Sequence, residues 1–273
     1  MADFPLYQNV TMQTTGVVLG SSAGTTIVGG SSGHTKGTWA VLDASIPEGV
    51  VGFWICLAYP TTYRYMLDLA VGTGPTVILA NLYWSNRDYI APPRLFIPMA
   101  LPPGETLWGR HQNGGGSRSV QVSIIYVIAP MLYPQPLQRS QTLAANTTDT
   151  TGLTIDPGAS ANTKGVWTAL TASLPNDILS FILCFGNGAD AYPASYQHTR
   201  WLIDIGIGPA GQEIVVVSNL LVACDAGSDT LHGNFVGPIN IAIPAAKRIS
   251  VRAQSTETDS QYRLIRATMI GFR

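Results

Sequence analysis

The sequence predicts an all-β chain built as two tandem jelly-roll-like β-sandwich domains that arose by internal duplication. Three observations carry this. Thr35-Lys36-Gly37-Thr38-Trp39 returns as Thr163-Lys164-Gly165-Val166-Trp167, 128 residues later, and Ala44-Ser45-Ile46-Pro47 returns at the same offset as Ala172-Ser173-Leu174-Pro175. The register then slips in small steps, so that Asp68 matches Asp204, Asn81-Leu82 matches Asn219-Leu220 and Arg110-x-Gln112 matches Arg252-x-Gln254. Slips between matched segments mark one fold copied in tandem, not a solenoid of short units. Apolar residues fall in short runs bounded by Gly, Pro, Ser and Asn, which is strand punctuation, while helical periodicity is nearly absent. Each half supplies about eight such runs, the number a two-sheet jelly roll needs.

In order, strands are expected near 16–20, 37–43, 50–58, 63–71, 76–83, 94–100, 106–111 and 119–128 in the first unit. In the second they are expected near 151–155, 165–171, 178–185, 199–207, 212–223, 236–243, 247–254 and 261–271. Ser119-Val120-Gln121-Val122-Ser123-Ile124 and Arg248-Ile249-Ser250-Val251-Arg252 alternate, as half-buried strands do. The nearly all-apolar runs 50–57 and 214–217 are expected to be covered on both faces, by the opposing sheet and by the sister domain or another subunit. Segment 20–33, rich in Gly, Ser and Thr, reads as a mobile loop. The expected division is a first sandwich over 1–130 with a lead-in at 1–15, a Pro-containing linker and second lead-in over 131–150, and a second sandwich over 151–273. Each lead-in is placed to pair with an edge strand of its own domain or to reach a neighbour.

Charged residues make up only 11% of the chain, against roughly 25% in ordinary soluble domains. A surface so poor in ionic groups is expected to be covered in an assembly. Net charge is −1, which argues against nucleic acid as the main partner. No basic segment followed by an apolar run opens the chain, and no apolar stretch of about 18 residues exists, so neither a secretory signal nor membrane insertion is expected. Three cysteines make no disulfide framework. Cys56 and Cys184, at equivalent positions in apolar runs, read as buried thiols, and Cys224, beside Asp225-Ala226-Gly227, as a candidate intermolecular thiol.

Reading the chain against itself isolates the retained pairs Lys36/Lys164, Trp39/Trp167, Asp68/Asp204, Asn81/Asn219, Arg110/Arg252 and Gln112/Gln254. A carboxylate in an apolar strand needs a partner, because an isolated buried charge is costly. Structural pairs Asp68–Arg110 and Asp204–Arg252 are therefore expected. One retained carboxylate per unit does not supply an acid–base pair. The glycines after Asp68 and Asp204 precede strands, so they shape turns and do not cradle a dinucleotide. His34, His111, His198 and His232 are unrepeated, show no zinc spacing and read as solvated loop residues. No metal, cofactor or catalytic residue is expected.

Aromatic residues cluster with arginines at Tyr59, Tyr63, Tyr65, Tyr83, Trp84 and Tyr89, and more thinly at Tyr192, Tyr196 and Trp201. Loop aromatics with Arg suit protein interfaces and sugar-stacking platforms, but the same residues can equally cap the ends of the sandwich.

The blocks Lys-Gly-x-Trp, Asp-[Leu/Ile]-x-[Val/Ile]-Gly leading to Asn-Leu, then an apolar strand, Pro and Arg-x-Gln, over 36–112 and again over 164–254, resemble those of β-sandwich virion proteins of tailed bacteriophages. The resemblance implies a non-enzymatic structural protein in a virion assembled in the host cytoplasm. It would decorate or cement capsid, neck or tail. Its implied partners are other virion proteins and copies of itself, a trimer by jelly-roll precedent. The competing expectation is a receptor- or carbohydrate-binding protein of the tail tip or baseplate, bound to a host glycan or receptor through the aromatic loops. A polysaccharide hydrolase is the third reading, and it requires Asp68 and Asp88 to converge in one cleft.

Overall fold

A computed structural model describes residues 11–15, 24–58, 63–86, 94–129, 137–187, 199–224, 231–232 and 235–273. The first unit contains β1 (Thr11–Thr15), β2 (Thr25–Val28), β3 (Ala40–Asp43), β4 (Val50–Ala58), β5 (Tyr63–Val71), β6 (Thr76–Asn86), β7 (Arg94–Ile97), β8 (Leu107–Asn113) and β9 (Ser119–Ile128). The second contains β10 (Ser140–Leu143), β11 (Leu153–Ile155), β12 (Thr168–Thr171), β13 (Ser180–Asn187), β14 (Arg200–Ile207), β15 (Ile214–Cys224), β16 (Leu231–His232), β17 (Phe235–Ile239), β18 (Ile249–Ser255) and β19 (Ile265–Phe272). A single helical turn, Ser260–Arg263, precedes β19.

Each unit is a two-sheet antiparallel sandwich. In the first, β1 and β2 both pair with β9 in a sheet ordered β1-β9-β4-β7, and the opposing sheet is ordered β3-β8-β5-β6. The second repeats this as β10-β19-β13-β17, with β11 also on β19, against β12-β18-β14-β15-β16. These strand orders are those of a jelly roll. The alternation in β9 does what period-2 patterning requires: Val120, Val122, Ile124 and Tyr126 are buried at 1% exposure or less, and the residues between them are not.

Two expectations are corrected. Part of the Gly/Ser/Thr-rich segment is strand β2, and Ile27 at its centre is buried in the core; residues 20–23 lie outside the described residues. The apolar run at the start of β15 is not covered, since Ile214 is 72% and Val215 41% exposed. The run in β4 has one buried face and one half-buried face.

The second sandwich is the one with a sheet buried on both sides. Phe181, Leu183 and Phe185 of β13, with Ile265, Ala267 and Met269 of β19, face its own core. The alternate residues Ile182, Cys184, Ile270 and Phe272 join the core of the first unit. They pack along the β6 edge of the first sandwich, with β13 and β10 against β6 and β17 against β7. Tyr83, wholly buried, projects into this seam and lies where a Cβ on Gly186 would overlap its hydroxyl. The lead-in β10 ties the seam further: the Ser140 hydroxyl donates to the Ile78 carbonyl at 2.6 Å, and the Thr142 hydroxyl donates to the Ala80 carbonyl.

Candidate functional site

The retained residues assemble on the outer face of the β3-β8-β5-β6 sheet. Asp68 on β5 sits opposite Arg110 on β8 in the ladder, so their side chains share a face. Asp68 Oδ2 accepts from Arg110 Nε at 2.9 Å, and Oδ1 accepts from Lys36 Nζ at 2.7 Å and from the Asn81 backbone N–H at 2.8 Å. Lys36 Nζ also donates to Asn81 Oδ1 at 2.7 Å. The backbone bond depends on an irregularity: Asn81 adopts φ +54°, a left-handed conformation that Asn tolerates, beside a register shift between β5 and β6. Arg110 lies over the Trp39 ring at 4.3 Å from its centroid, fixing the guanidinium plane.

The second unit rebuilds this constellation. Asp204 accepts from Lys164 Nζ at 2.8 Å, from Arg252 Nε at 3.0 Å and from the Asn219 N–H at 2.9 Å, with Asn219 at φ +53° and Arg252 at 4.4 Å from the Trp167 centroid. Lys164 completes its bonding on the Leu202 carbonyl at 2.9 Å. Burial by itself would raise the Asp204 carboxyl; the hydrogen bonds from Lys164, Asn219 and Arg252 outweigh it and hold the group below its ordinary value. Burial also lowers the Lys36 ammonium, with Arg110 adding to the effect against the pull of Asp68.

In the first unit the network faces a cleft of about 510 Å³. Its wall opposite the sheet comes from residues 147–150 of the segment joining the units. Gln112 Nε2 donates to the Thr147 carbonyl at 2.6 Å and to Thr150 Oγ1 at 2.8 Å, and His34 Nδ1 lies 3.1 Å from the same hydroxyl. Thr150 adopts φ +51°, which a β-branched residue rarely takes, so these bonds hold a strained backbone against the sheet. His34, Lys36, Arg110, Asn81, Gln112 and Thr148 line the cleft as polar groups, and Val77 and Ala80 as apolar ones.

The aromatic cluster is not a surface platform where the structure describes it. Tyr65, Tyr83 and Trp84 are fully buried and Trp201 is 1% exposed, with Tyr65 and Trp84 stacked at 5.1 Å inside the core. Tyr59, Tyr89, Tyr192, Tyr196 and the Tyr63 side chain lie outside the described residues, as do Asp88 and His198. Cys224 is 3% exposed, which removes it from the surface as a cross-linking thiol. Cys184 is fully buried and burial pushes its thiol up to about 12, whereas Cys56 is half-buried. His111 is buried, not solvated, and its Nε2–H donates to the Ile27 carbonyl at 3.2 Å. Among the described residues no group of three His, Cys, Asp or Glu is placed to hold a metal, and no helix is long and apolar enough to cross a membrane.

The Asp–Arg pairing is readable from two retained residues of opposite charge, while Lys36, Trp39, Asn81 and Gln112 show in the sequence only as repeated positions without a role. Nothing in the sequence points to Thr147 or Thr148, which belong to the joining segment and stand outside the retained pairs.

No family model matches the chain, and no curated protein matches it. Solved structures similar along the whole chain are all-β. They include a peptide-N(4)-(N-acetyl-β-D-glucosaminyl) asparagine amidase, 12% identical, with 97% of this chain and 96% of that one covered at a TM-score of 0.37. The tandem CBM22-1-CBM22-2 domains of Xyn10C from Paenibacillus barcinonensis are 8% identical over 97% of this chain and 91% of that one, at 0.24. A structure of infectious bursal disease virus is 14% identical over 97% and 72%, at 0.27. At these identities the likenesses concern fold alone. They nevertheless correct two expectations. With an amidase among the similar structures, the role of non-enzymatic tailed-phage virion component, with its tail-tip receptor- or carbohydrate-binding alternative, is withdrawn, and so is the exclusion of catalysis. Viral particles are among the similar structures, but nothing ties the chain to phages.

Proposed function

We propose that the chain is a ligand-binding protein whose cleft on the first sandwich takes a small molecule carrying a carboxylate or phosphate group. The observation that carries this reading is the placement of Lys36 and Arg110 along one open cleft whose only carboxylate among the described residues, Asp68, is already engaged by both of them. Arg110 uses Nε for Asp68, and its stacking on Trp39 holds the guanidinium plane in place for a planar anionic group. Asn81, Gln112 and Thr148 add neutral hydrogen-bonding groups around that charge, the mixture that fixes a ligand's orientation.

The duplicated network provides its own control. Titration calorimetry with inorganic phosphate and with citrate is expected to show saturable binding to the intact chain. Arg110→Gln abolishes it, while Arg252→Gln, which removes the same ion pair from the second unit, leaves it intact. Equal loss in both variants, or no heat with either anion at millimolar concentration, refutes the reading.

A further inference from the structure

The seam inside the chain is half of a repeating contact. In it the outer β13–β19 face of the second sandwich covers the β6 edge of the first. Because the two sandwiches are copies, each also carries the counterpart of the surface the other has used, and both counterparts are less buried than the seam. Leu221, which takes the position of Tyr83, is 59% exposed where Tyr83 is 0%. Ser218 and Asn219 on the same strand are exposed too. At the other end of the chain, Trp54 and Ile125 are cross-strand neighbours on the outer face of β4 and β9, as Ile182 and Ile270 are on β13 and β19. Trp54, Cys56, Ile125 and Val127 are half-buried, whereas Ile182, Cys184, Ile270 and Phe272 are fully buried in the seam. The lead-ins match as well: β1 pairs with β9 in the register in which β10 pairs with β19, which puts Thr14 at the position of Thr142.

We infer that copies of this chain associate head to tail, β15 of the second sandwich of one copy seating on the outer β4–β9 face of the first sandwich of the next, in the geometry of the internal seam. The occupant is a second copy because this chain already contains that contact once, made from the paralogous surfaces. A contact between two different patches is heterologous, so it propagates into a ring or a filament and does not close as a twofold dimer. Leu221 of one copy then meets Ala58 of the next, as Tyr83 meets Gly186 within the chain.

Sedimentation velocity on the full chain is expected to show concentration-dependent species beyond the dimer. Leu221→Glu and Ile125→Glu each block one face, and each alone is expected to be monomeric. Mixed in equal amounts they retain one good face apiece and give a dimer that grows no further. A second measurement is independent of any effect of Ile125→Glu on the sheet: oxidation of an Ala58→Cys, Leu221→Cys chain yields a ladder of cross-linked multimers, with peptide mapping placing the bond between positions 58 and 221. A wild-type chain that stays monomeric at every concentration overturns the inference. So does association that survives Leu221→Glu, or a cross-link joining two copies of position 221.

Discussion

Replacing Asp204 by Asn removes one charge from a site where it offsets two. Breaking a buried ion pair by deleting one member costs about 3–5 kcal/mol, because the remaining charge is left uncompensated. Here Lys164 and Arg252 keep 20% and 30% of their side-chain surface, so water recovers part of that loss. The Asn oxygen also still accepts from Lys164 and from the Asn219 N–H. The net expectation is about 2–3 kcal/mol, a fall in Tm of about 4–12 °C for a chain of this size. Calorimetry and urea unfolding at neutral pH measure it directly. The pH dependence gives a second, independent check. The folded Asp204 carboxyl titrates below the unfolded one, so its stabilisation is complete above the unfolded value of about 3.9 and is lost as pH falls through the folded value. The gap between wild type and Asp204→Asn must therefore close below about pH 4. A variant within about 0.5 kcal/mol of wild type at neutral pH, or a gap undiminished in acid, refutes the assignment of the network as a stabilising element.

Two further outcomes follow from the packing. Gly186→Val drives a side chain into Tyr83, and overpacking of this kind costs about 1–3 kcal/mol; calorimetry is expected to show the two sandwiches melting in separate transitions, whereas Ala58→Val at the paralogous position leaves stability within about 0.5 kcal/mol. His111 is buried neutral and burial lowers its imidazole below the ordinary value, so the unfolded chain binds the proton first and stability declines as pH drops below about 6.5; His111→Gln is expected to flatten that limb of the stability–pH profile.

The fold was legible because duplication preserved what a sandwich core demands: the same strands in the same order, with tips free to diverge. The limits of that reading lie in particular residues. Ile214 and Val215 are as apolar as a buried strand, yet they lie open, and so do their counterparts Thr76 and Val77, so this end of the strand is uncovered in both units; Leu221 is open for a different reason, because what covers its counterpart Tyr83 is the next sandwich along the chain. Tyr83 and Trp84 sit near arginines and read as surface residues. Alternation sends Trp84 into the core and Tyr83 into the seam, and neither destination is encoded locally. β2 carries little strand signal because a single residue, Ile27, supplies its burial. In the network, repetition named Lys36, Trp39 and Asn81, but their convergence on Asp68 depends on the left-handed turn at Asn81, which composition does not announce.

Cys184 gives the molecule a built-in reporter. Its sulfur is enclosed between the two sandwiches, and with its ionisation pushed up to about 12 almost no thiolate exists at neutral pH. Alkylating reagents can reach it only when the two halves come apart. The rate at which iodoacetamide modifies this one position, set against Cys56 in the same molecule, therefore times the parting of the sandwiches without any engineered label.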